Sequence, residues 1–274
     1  MTQFMKLMKQ LLCCLLLWMT QATATATPND SIPGHQSFTL LSKHLGEQRV
    51  INVWTPADYS VRSTALPVMY MADGGIQEDF PEVARTFSTL IEAKKIPPFI
   101  LVGIENTQRR RDLTGFTTVG EDREIAPIVG ESESFRAFVN DELFAQIAQR
   151  YKTTGKRGIL GESLAGLFVV ETLLYKPEMF DYYIAFDPSL WWNDVFLVRH
   201  AAQQLPAKMK TKKTFWFTSS DNATLSQLSL QLSQVLTTQK IARLKWLYTA
   251  EPNENHQTIF SATKEKALIW TLNP

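Results

Sequence analysis

Short, continuously apolar runs alternate with amphipathic stretches along most of this chain. Residues 66–71 (LPVMYM) and 99–104 (FILVGI) are apolar without alternation, and turn-forming residues bound each run. Between them, residues 80–91 repeat large apolar side chains at helical spacing. Runs that are apolar on both faces are typical of parallel strands covered by helices. The pattern therefore predicts strand–helix units built around a mostly parallel sheet.

The same alternation continues to the carboxyl terminus, after residues 105–131, whose polar character predicts a loop. Residues 36–56 predict two strands joined by a turn, which would form an antiparallel N-terminal edge of the sheet. No internal repeat or second domain boundary is visible, so we expect one α/β domain over residues 27–274, with helices on both faces. The remaining predicted strands are 158–161, 182–186, 214–218 and 244–249, and the remaining helices are 134–151, 164–175, 225–236 and 259–272.

The first 26 residues have the three-part pattern of a secretory signal peptide. Lys6 and Lys9 form a basic head, and the apolar run 11–19 is too short to span a bilayer. Residues 22–26 (ATATA) offer two cleavage sites, after Ala24 or after Ala26. We therefore expect export to the periplasm or the exterior, with an uncleaved N-terminal anchor as the alternative.

Charge and cysteine content exclude several kinds of partner and site for the mature chain. Signal removal takes Lys6 and Lys9 from the 28 basic residues and none of the 27 acidic ones, which leaves 26 − 27 = −1. This balance favours neither a nucleic-acid partner nor an anionic membrane. Cys13 and Cys14 leave with the signal, so a thiol nucleophile, a disulfide and a cysteine metal site are excluded. We expect no stable membrane insertion after cleavage.

The segment Gly161-Glu162-Ser163-Leu164-Ala165 lies between a predicted strand and a predicted helix. A serine at such a junction can occupy a strained elbow that lifts its hydroxyl above the sheet edge. Small residues two positions before and after it let strand and helix approach closely. Ser163 is therefore the candidate nucleophile, and a serine that only caps an ordinary helix is the alternative.

Serine needs a base, and His256 is the candidate. The mature chain has four histidines, of which only His256 follows a late predicted strand. In this architecture the loop after such a strand opens on the same sheet edge as the serine elbow. The alternative is a histidine that caps the last helix or is merely solvated.

An acid should orient the histidine, and Asp221 is the candidate because it follows the strand before last. Its position gives the chain order Ser, Asp, His. Asp221 could instead cap the helix that begins near Ala223. In that case Glu251 or Glu254 would be the acid, or the site would be a Ser–His dyad.

Two backbone N–H groups are expected to form an oxyanion hole. One is the N–H of Leu164, which follows the serine. The other is the N–H of Gly75, or of Gly74 if the turn that ends the 66–71 strand is one residue shorter. The alternative is that this glycine turn is structural only.

Together these segments resemble the putative-esterase group of α/β-hydrolases, which includes enterochelin-type siderophore esterases and esterase D. The resemblance covers roughly residues 36–272. The segments that carry it are Met71-Ala72-Asp73-Gly74, residues 102–107 followed by Arg109, Arg111, Asp112, Leu113 and Thr114, then residues 161–168, 177–180 and 187–192, and Glu254-Asn255-His256.

The resemblance implies an α/β-hydrolase fold and a serine nucleophile, which map to Ser163 and His256. This chain departs from the group at Ala165, where glycine is usual, at Gly115, where proline is usual, and at Asp187, where serine is common. The acid is the least regular part of the group, and some siderophore-esterase relatives look like Ser–His dyads. The assignment of Asp221 therefore stays open.

Two pairs of side chains are candidates for substrate contact. Trp191 and Trp192 follow a strand end and could wall an acyl or aromatic pocket, although Trp191 could equally pack in the core. Arg109 and Arg111 could hold an anionic or catecholate substrate. Alternatively, the two arginines anchor their own loop through Asp112.

These observations predict a serine esterase that cleaves a small-molecule carboxylic ester through an acyl-enzyme, with no metal or organic cofactor. The alternatives are a periplasmic esterase for siderophore catecholate trilactones and a non-catalytic binding protein on the hydrolase scaffold. The sequence leaves the substrate and the oligomeric state open.

Overall fold

The computed structural model describes residues 32–61 and 63–273, and the expected signal peptide lies outside the described residues. Strands and helices alternate as the apolar pattern predicts. The strands are β1 (His35–Leu41), β2 (Gln48–Trp54), β3 (Leu66–Met71), β4 (Ile100–Ile104), β5 (Thr153–Glu162), β6 (Tyr182–Phe186), β7 (Lys208–Ser219) and β8 (Ala242–Ala250). The helices are α1 (Phe80–Glu92), α2 (Arg109–Leu113), α3 (Gly120–Glu124), α4 (Ser132–Ala137), α5 (Phe144–Arg150), α6 (Leu164–Tyr175), α7 (Trp192–Gln204), α8 (Ala223–Gln239) and α9 (Ile259–Leu272).

The strands form one eight-stranded sheet in the order β1-β2-β4-β3-β5-β6-β7-β8. β1 pairs antiparallel with β2 and β2 antiparallel with β4, whereas the other neighbours are parallel. The predicted fold class is therefore confirmed, including the antiparallel N-terminal edge. Because parallel strands end at the same edge, the loops after β3, β5, β6, β7 and β8 meet there, where open α/β sheets bind ligands.

Helices cover both faces of the sheet. α1 and α9 pack on one face, around Phe87 and Leu268, and the other face is covered mainly by α4, α5, α6 and α8. Residues 164–174 of α6 are all buried. This agrees with a sequence that is apolar on every side of the helix. Because α6 is buried, Leu164 at its start is held in place at the sheet edge.

The polar segment 105–131 contains more structure than predicted. It forms the short helices α2 and α3, which were expected to be loop. Farther on, α4 continues through a π-helical turn, Phe138–Leu143, into α5. Side-chain contacts to the rest of the protein hold α2 and α3, and such contacts leave no periodic signal in the sequence. No helix in the described part of the chain is long and apolar enough to cross a membrane.

Candidate active site

Ser163 occupies a strained elbow between β5 and α6, with φ 57° and ψ −117°. Its backbone N–H donates to Phe186 O on β6 at 3.0 Å, and its side chain makes no capping hydrogen bond to α6. A Cβ on Gly161 would lie 2.6 Å from the backbone carbon of Ala165, so the close approach of strand and helix requires glycine there. The elbow therefore presents the hydroxyl instead of using it as a helix cap.

His256 lies in the loop after β8 and reaches the serine. Its Nε2 is 3.1 Å from Ser163 Oγ, across a separation of 93 residues. It does not cap α9, because Thr258 is the residue at that position. The hydrogen bond with Asp187 raises the pKa of His256 above 6.5, and partial burial opposes this shift. The arrangement favours the imidazolium that proton transfer from a serine would create.

The carboxylate beside His256 belongs to Asp187, and the prediction of Asp221 as its partner is wrong. Asp187 follows β6, is 0% exposed, and places Oδ2 2.7 Å from His256 Nδ1. Asp221 is exposed, and its backbone N–H donates to Glu254 O at 2.8 Å. Because β6 is next to β5 in the sheet, whereas β7 is one strand farther, the end of β6 lies nearer the serine elbow.

The loop after β7 supports this acid instead of supplying one. Ser220 N–H donates to Asp187 Oδ1 at 3.0 Å, and Ser220 Oγ donates to Oδ2 at 2.6 Å. Asn222, not Asp221, caps α8 with its side chain. The sequence carried one signal for Asp187, which is the departure from the serine common at this position in the resembling group. These two hydrogen bonds fix the orientation of the Asp187 carboxyl group toward His256.

Ser189 is a second residue that the sequence analysis missed. Its N–H donates to Ser163 O at 3.1 Å, and its Oγ lies 3.3 Å from Ser163 Oγ. It is 3% exposed. The segment after β6 therefore contacts both the histidine, through Asp187, and the serine, through Ser189.

The expected oxyanion donors at the glycine turn are both bonded elsewhere. Gly74 N–H donates to Ile104 O at 3.0 Å, and Gly75 N–H donates to Glu78 Oε2 at 2.7 Å. A Cβ on Gly74 would lie 2.2 Å from Ile104 N, so this glycine serves a close approach to β4. In this conformation the glycine turn is therefore structural, as the alternative predicted, and neither N–H is available to an oxyanion. Leu164 N–H, the first of α6, donates to no acceptor among the described residues.

Arg109 and Arg111 are engaged by carboxylates and do not project freely toward a substrate. Arg109 Nε and Nη2 donate to Asp73 at 2.6 and 2.9 Å, and Nη2 lies 3.5 Å from Glu162 O. Arg111 is 6% exposed and donates to Asp112 at 2.8 Å and Glu47 at 2.6 Å. The anchoring alternative is the one observed, with Asp73 as the partner of Arg109.

The two tryptophans have different environments. Trp192 is 3% exposed, and its Nε1 donates to Gly115 O at 2.8 Å. Trp191 is half-buried, and its ring centroid lies 5.9 Å from that of Trp192. Trp192 lines a cavity of about 1210 Å³ that follows the Leu167 face of α6, and Ser163 is not among the lining residues. Trp191 therefore stays a candidate wall of the catalytic site, and Trp192 belongs to the cavity beside it.

Acidic side chains surround the serine elbow. Burial and the nearby Asp79, Asp187 and Asp73 raise the pKa of Glu162 to about 7, although His256 opposes the shift. Burial and Asp73 raise the pKa of Asp79 to about 6. The Glu162 carboxyl makes no hydrogen bond or ion pair within the described residues. Perturbed carboxyl groups that cluster at one sheet edge are typical of functional sites.

Comparisons with known proteins identify the family of this chain. A family model described as putative esterase matches residues 42–270. The ferri-bacillibactin esterase BesA of Bacillus subtilis is 30% identical over 196 residues, which are 66% of this chain and 67% of that protein. The siderophore triacetylfusarinine C esterase of Aspergillus fumigatus is 27% identical over 199 residues, which are 66% of this chain and 63% of that protein.

Solved structures give the same result. The IroE-like serine hydrolase from Shewanella oneidensis superposes with a TM-score of 0.80 at 25% identity, over 86% of this chain and 79% of that structure. The family resemblance predicted from the sequence is therefore confirmed.

Proposed function

Since this chain belongs to the putative-esterase family of α/β-hydrolases and is a carboxylic ester hydrolase, we propose that Ser163 is its nucleophile, His256 its general base and Asp187 the orienting acid. One observation carries the proposal. Ser163 Oγ lies 3.1 Å from His256 Nε2, and His256 Nδ1 lies 2.7 Å from Asp187 Oδ2. These are the distances over which a serine hydroxyl gives its proton to an imidazole that a carboxylate holds in place.

The proposed reaction has two acyl-transfer steps. His256 takes the Ser163 proton as Oγ attacks the ester carbonyl, and the Leu164 N–H donates to the oxyanion. His256 then gives the proton to the leaving alcohol, which leaves an acyl-serine. His256 then takes a proton from water as the water attacks the acyl-serine, the bond between Oγ and the acyl carbon breaks, and the imidazolium returns the proton to Ser163 Oγ as the acid leaves. Asp187, 2.7 Å from His256 Nδ1, orients the imidazole and stabilises the imidazolium in both steps.

The substrate we propose is a small-molecule ester, and a siderophore ester is the more specific candidate. Two curated relatives are named for siderophore esters, ferri-bacillibactin and triacetylfusarinine C. The notion that Arg109 and Arg111 hold an anionic siderophore finds no support in their ion pairs with Asp73, Asp112 and Glu47. A trilactone would therefore need recognition by other groups of the site.

We also propose that the chain is exported and that residues 1–26 are its signal peptide. The support is the basic head, the short apolar run and the small residues in the sequence. Sequencing the amino terminus of the protein from the extracytoplasmic fraction tests this. A mature terminus after Ala24 or Ala26 supports export, and an intact terminus in the cytoplasm rejects it.

A fluorophosphonate probe tests the nucleophile, because it labels only an activated serine. We expect the wild type to be labelled at Ser163, and Ser163→Ala to lose both label and esterase activity. Ser189→Ala is the matched control, because it removes the neighbouring hydroxyl and leaves the nucleophile. Equal labelling of wild type and Ser163→Ala would reject the assignment.

The substrate class is tested with a panel of acetyl, longer acyl, thioester and catecholate trilactone substrates. A kcat/KM for the trilactone far above that for p-nitrophenyl esters supports the siderophore candidate. Comparable values across the panel support a general esterase. Binding of esters without turnover by the wild type would instead indicate a binding protein on this scaffold.

A further inference from the structure

The backbone that follows Trp192 is left-handed through three consecutive residues that are not glycine. Asn193, Asp194 and Val195 have φ angles of 50°, 51° and 61°. Asparagine and aspartate adopt this conformation fairly readily, but valine does not, because its branched Cβ crowds the backbone. Strain of this kind persists only where surrounding contacts impose it, and it concentrates at functional segments.

One buried carboxylate, that of Asp122 in α3, holds the start of this left-handed turn. Asp122 is 6% exposed, and its Oδ2 accepts hydrogen bonds from Asn193 N at 2.8 Å and from Thr117 Oγ1 at 2.6 Å. In return, Asn193 Oδ1 accepts from Thr118 N at 3.1 Å. Reciprocal hydrogen bonds thus join the left-handed turn to α3 and to the segment before it.

Hydrogen bonds connect the left-handed turn at residues 193–195 to the serine elbow. Trp192 N–H donates to Ser189 O at 3.3 Å, and Trp192 Nε1 donates to Gly115 O at 2.8 Å. Ser189 then contacts Ser163 through its N–H, at 3.1 Å from Ser163 O, and through its hydroxyl, at 3.3 Å from Ser163 Oγ. A contiguous path of hydrogen bonds and peptide bonds therefore joins Asp122 to the hydroxyl of Ser163.

From this path we infer that Asp122 is a positioning residue of the active site. By holding residues 193–195 in the left-handed form, it fixes Trp192 and Ser189 against the serine elbow and keeps the segment after β6 in register with Ser163. Asp122 touches none of the reacting atoms, and its effect passes through Asn193 and Ser189. The inference rests on the proposed role of Ser163 as nucleophile.

The test compares Asp122→Ala with Glu121→Ala, an exposed acid on the same helix. We expect Asp122→Ala to lower kcat about 10- to 100-fold with a much smaller change in KM, since small misplacements of catalytic groups cost rate. Glu121→Ala should stay within twofold of wild type. Circular dichroism and melting temperature show at which temperatures each variant is folded, and rates are measured below those limits.

Rescue by glycine separates positioning from a purely structural role. Glycine adopts positive φ without strain. Val195→Gly therefore lowers the conformational free energy of the left-handed turn in a variant that lacks the hydrogen bonds of Asp122. The double variant Asp122→Ala/Val195→Gly should therefore regain most of the kcat that Asp122→Ala loses. Thr117→Val, which removes one donor to Asp122 and keeps the side-chain shape, should cause a smaller loss in the same direction.

Two results would overturn the inference. One is a kcat for folded Asp122→Ala within twofold of wild type, and the other is a double variant that is no faster than Asp122→Ala. Fluorophosphonate labelling of Ser163 is read separately. Loss of the label in Ser163→Ala tests the proposed nucleophile. The ratio of kcat between Asp122→Ala and Glu121→Ala tests whether Asp122 positions the active site.

Discussion

Asp187 Oδ2 lies 2.7 Å from His256 Nδ1, although the two residues are 69 positions apart and leave different strands of the sheet. Asp187 adopts a positive φ of 41°, which directs its side chain from the end of β6 into the site. Ser163, at φ 57°, does the same from the end of β5. Two adjacent strands, β5 and β6, are thus each followed directly by a residue of positive φ that contacts the same histidine.

The first prediction concerns the identity of the acid. Asp187→Asn keeps the shape of the side chain but removes the charge that fixes the histidine tautomer, so we expect kcat to fall by up to ~10⁴. Asp221→Asn is the control, because Asp221 is exposed and contacts Glu254 only through its backbone. It should keep kcat within about twofold. A larger loss in Asp221→Asn than in Asp187→Asn would restore the sequence-based assignment.

The second prediction concerns the pH dependence of kcat/KM. Only neutral imidazole accepts the serine proton, so kcat/KM rises as the pH increases through the pKa of free His256. Asp187 raises the pKa of His256 through their hydrogen bond and its charge. Replacement of Asp187 by asparagine should therefore move the acid limb to lower pH, while the plateau falls. A limb that moves to higher pH would contradict this electrostatic assignment.

The third prediction concerns the support of the acid by the loop after β7. Ser220→Ala removes the hydroxyl that donates to Asp187 Oδ2 at 2.6 Å and leaves the backbone N–H in place. We expect kcat to fall about 10- to 100-fold, since a hydrogen bond to a charged group contributes about 1.5–3 kcal/mol and about 1.4 kcal/mol corresponds to a factor of ten in rate. Ser219→Ala is the matched control, because the Ser219 hydroxyl pairs with Tyr248 instead. Equal kinetics of the two variants would show that the Ser220 hydroxyl does not assist Asp187.

The fourth prediction distinguishes anchoring from substrate binding at Arg109. Arg109→Ala leaves the buried Asp73 without its ion pair, so it should lower the free energy of unfolding by about 1–3 kcal/mol. It also removes the contact of Arg109 Nη2 with the backbone carbonyl of Glu162 at the serine elbow, so kcat should fall. KM should change little, because the guanidinium is already bound by protein. Arg110→Ala, at an exposed neighbour, serves as the control. An Arg109→Ala variant of normal stability with a strongly raised KM would instead show direct contact with substrate.

The fifth prediction concerns stability and Glu162. In the unfolded chain this carboxyl ionises near its ordinary pKa of 4.5, whereas in the folded protein its pKa is about 7. The wild type therefore loses stability as the pH rises through this interval, because the folded state resists ionisation. Glu162→Gln is neutral in both states, so its melting temperature relative to wild type should be higher at pH 8 than at pH 5.

The control for this fifth prediction is Glu121→Gln, since Glu121 is exposed. Its melting temperature relative to wild type should not depend on pH in the same interval. A Glu162→Gln variant whose stability relative to wild type is the same at both pH values would show that the carboxyl is not held in its protonated form.

The sequence predicted the components of this protein that depend on local chemistry. Continuous apolar runs such as 66–71 and 99–104 identify buried parallel strands, because burial on both faces leaves no polar positions. The small residues around Ser163 indicate a tight elbow, and the structure gives the strained φ there. The sequence also indicates His256 as the base, because no other histidine of the expected mature chain follows a late predicted strand.

The acid, the oxyanion turn and the arginines required the tertiary structure. Asp187 and Asp221 both follow strands, and only the packing of the end of β6 beside the elbow decides between them. Gly75 N–H and Arg109 look available in the sequence. In the structure the turn folds so that Glu78, three residues on, accepts from Gly75 N–H, and Asp73, which is distant along the chain, binds Arg109. The sequence by itself determined which groups can reach the catalytic edge, because the alternation of strands and helices, which places these groups in loops after strands, follows from local apolar patterns. Which of those groups bond to each other was decided only by the tertiary structure, because hydrogen bonds depend on distances of a few tenths of an ångström between segments that no local pattern relates.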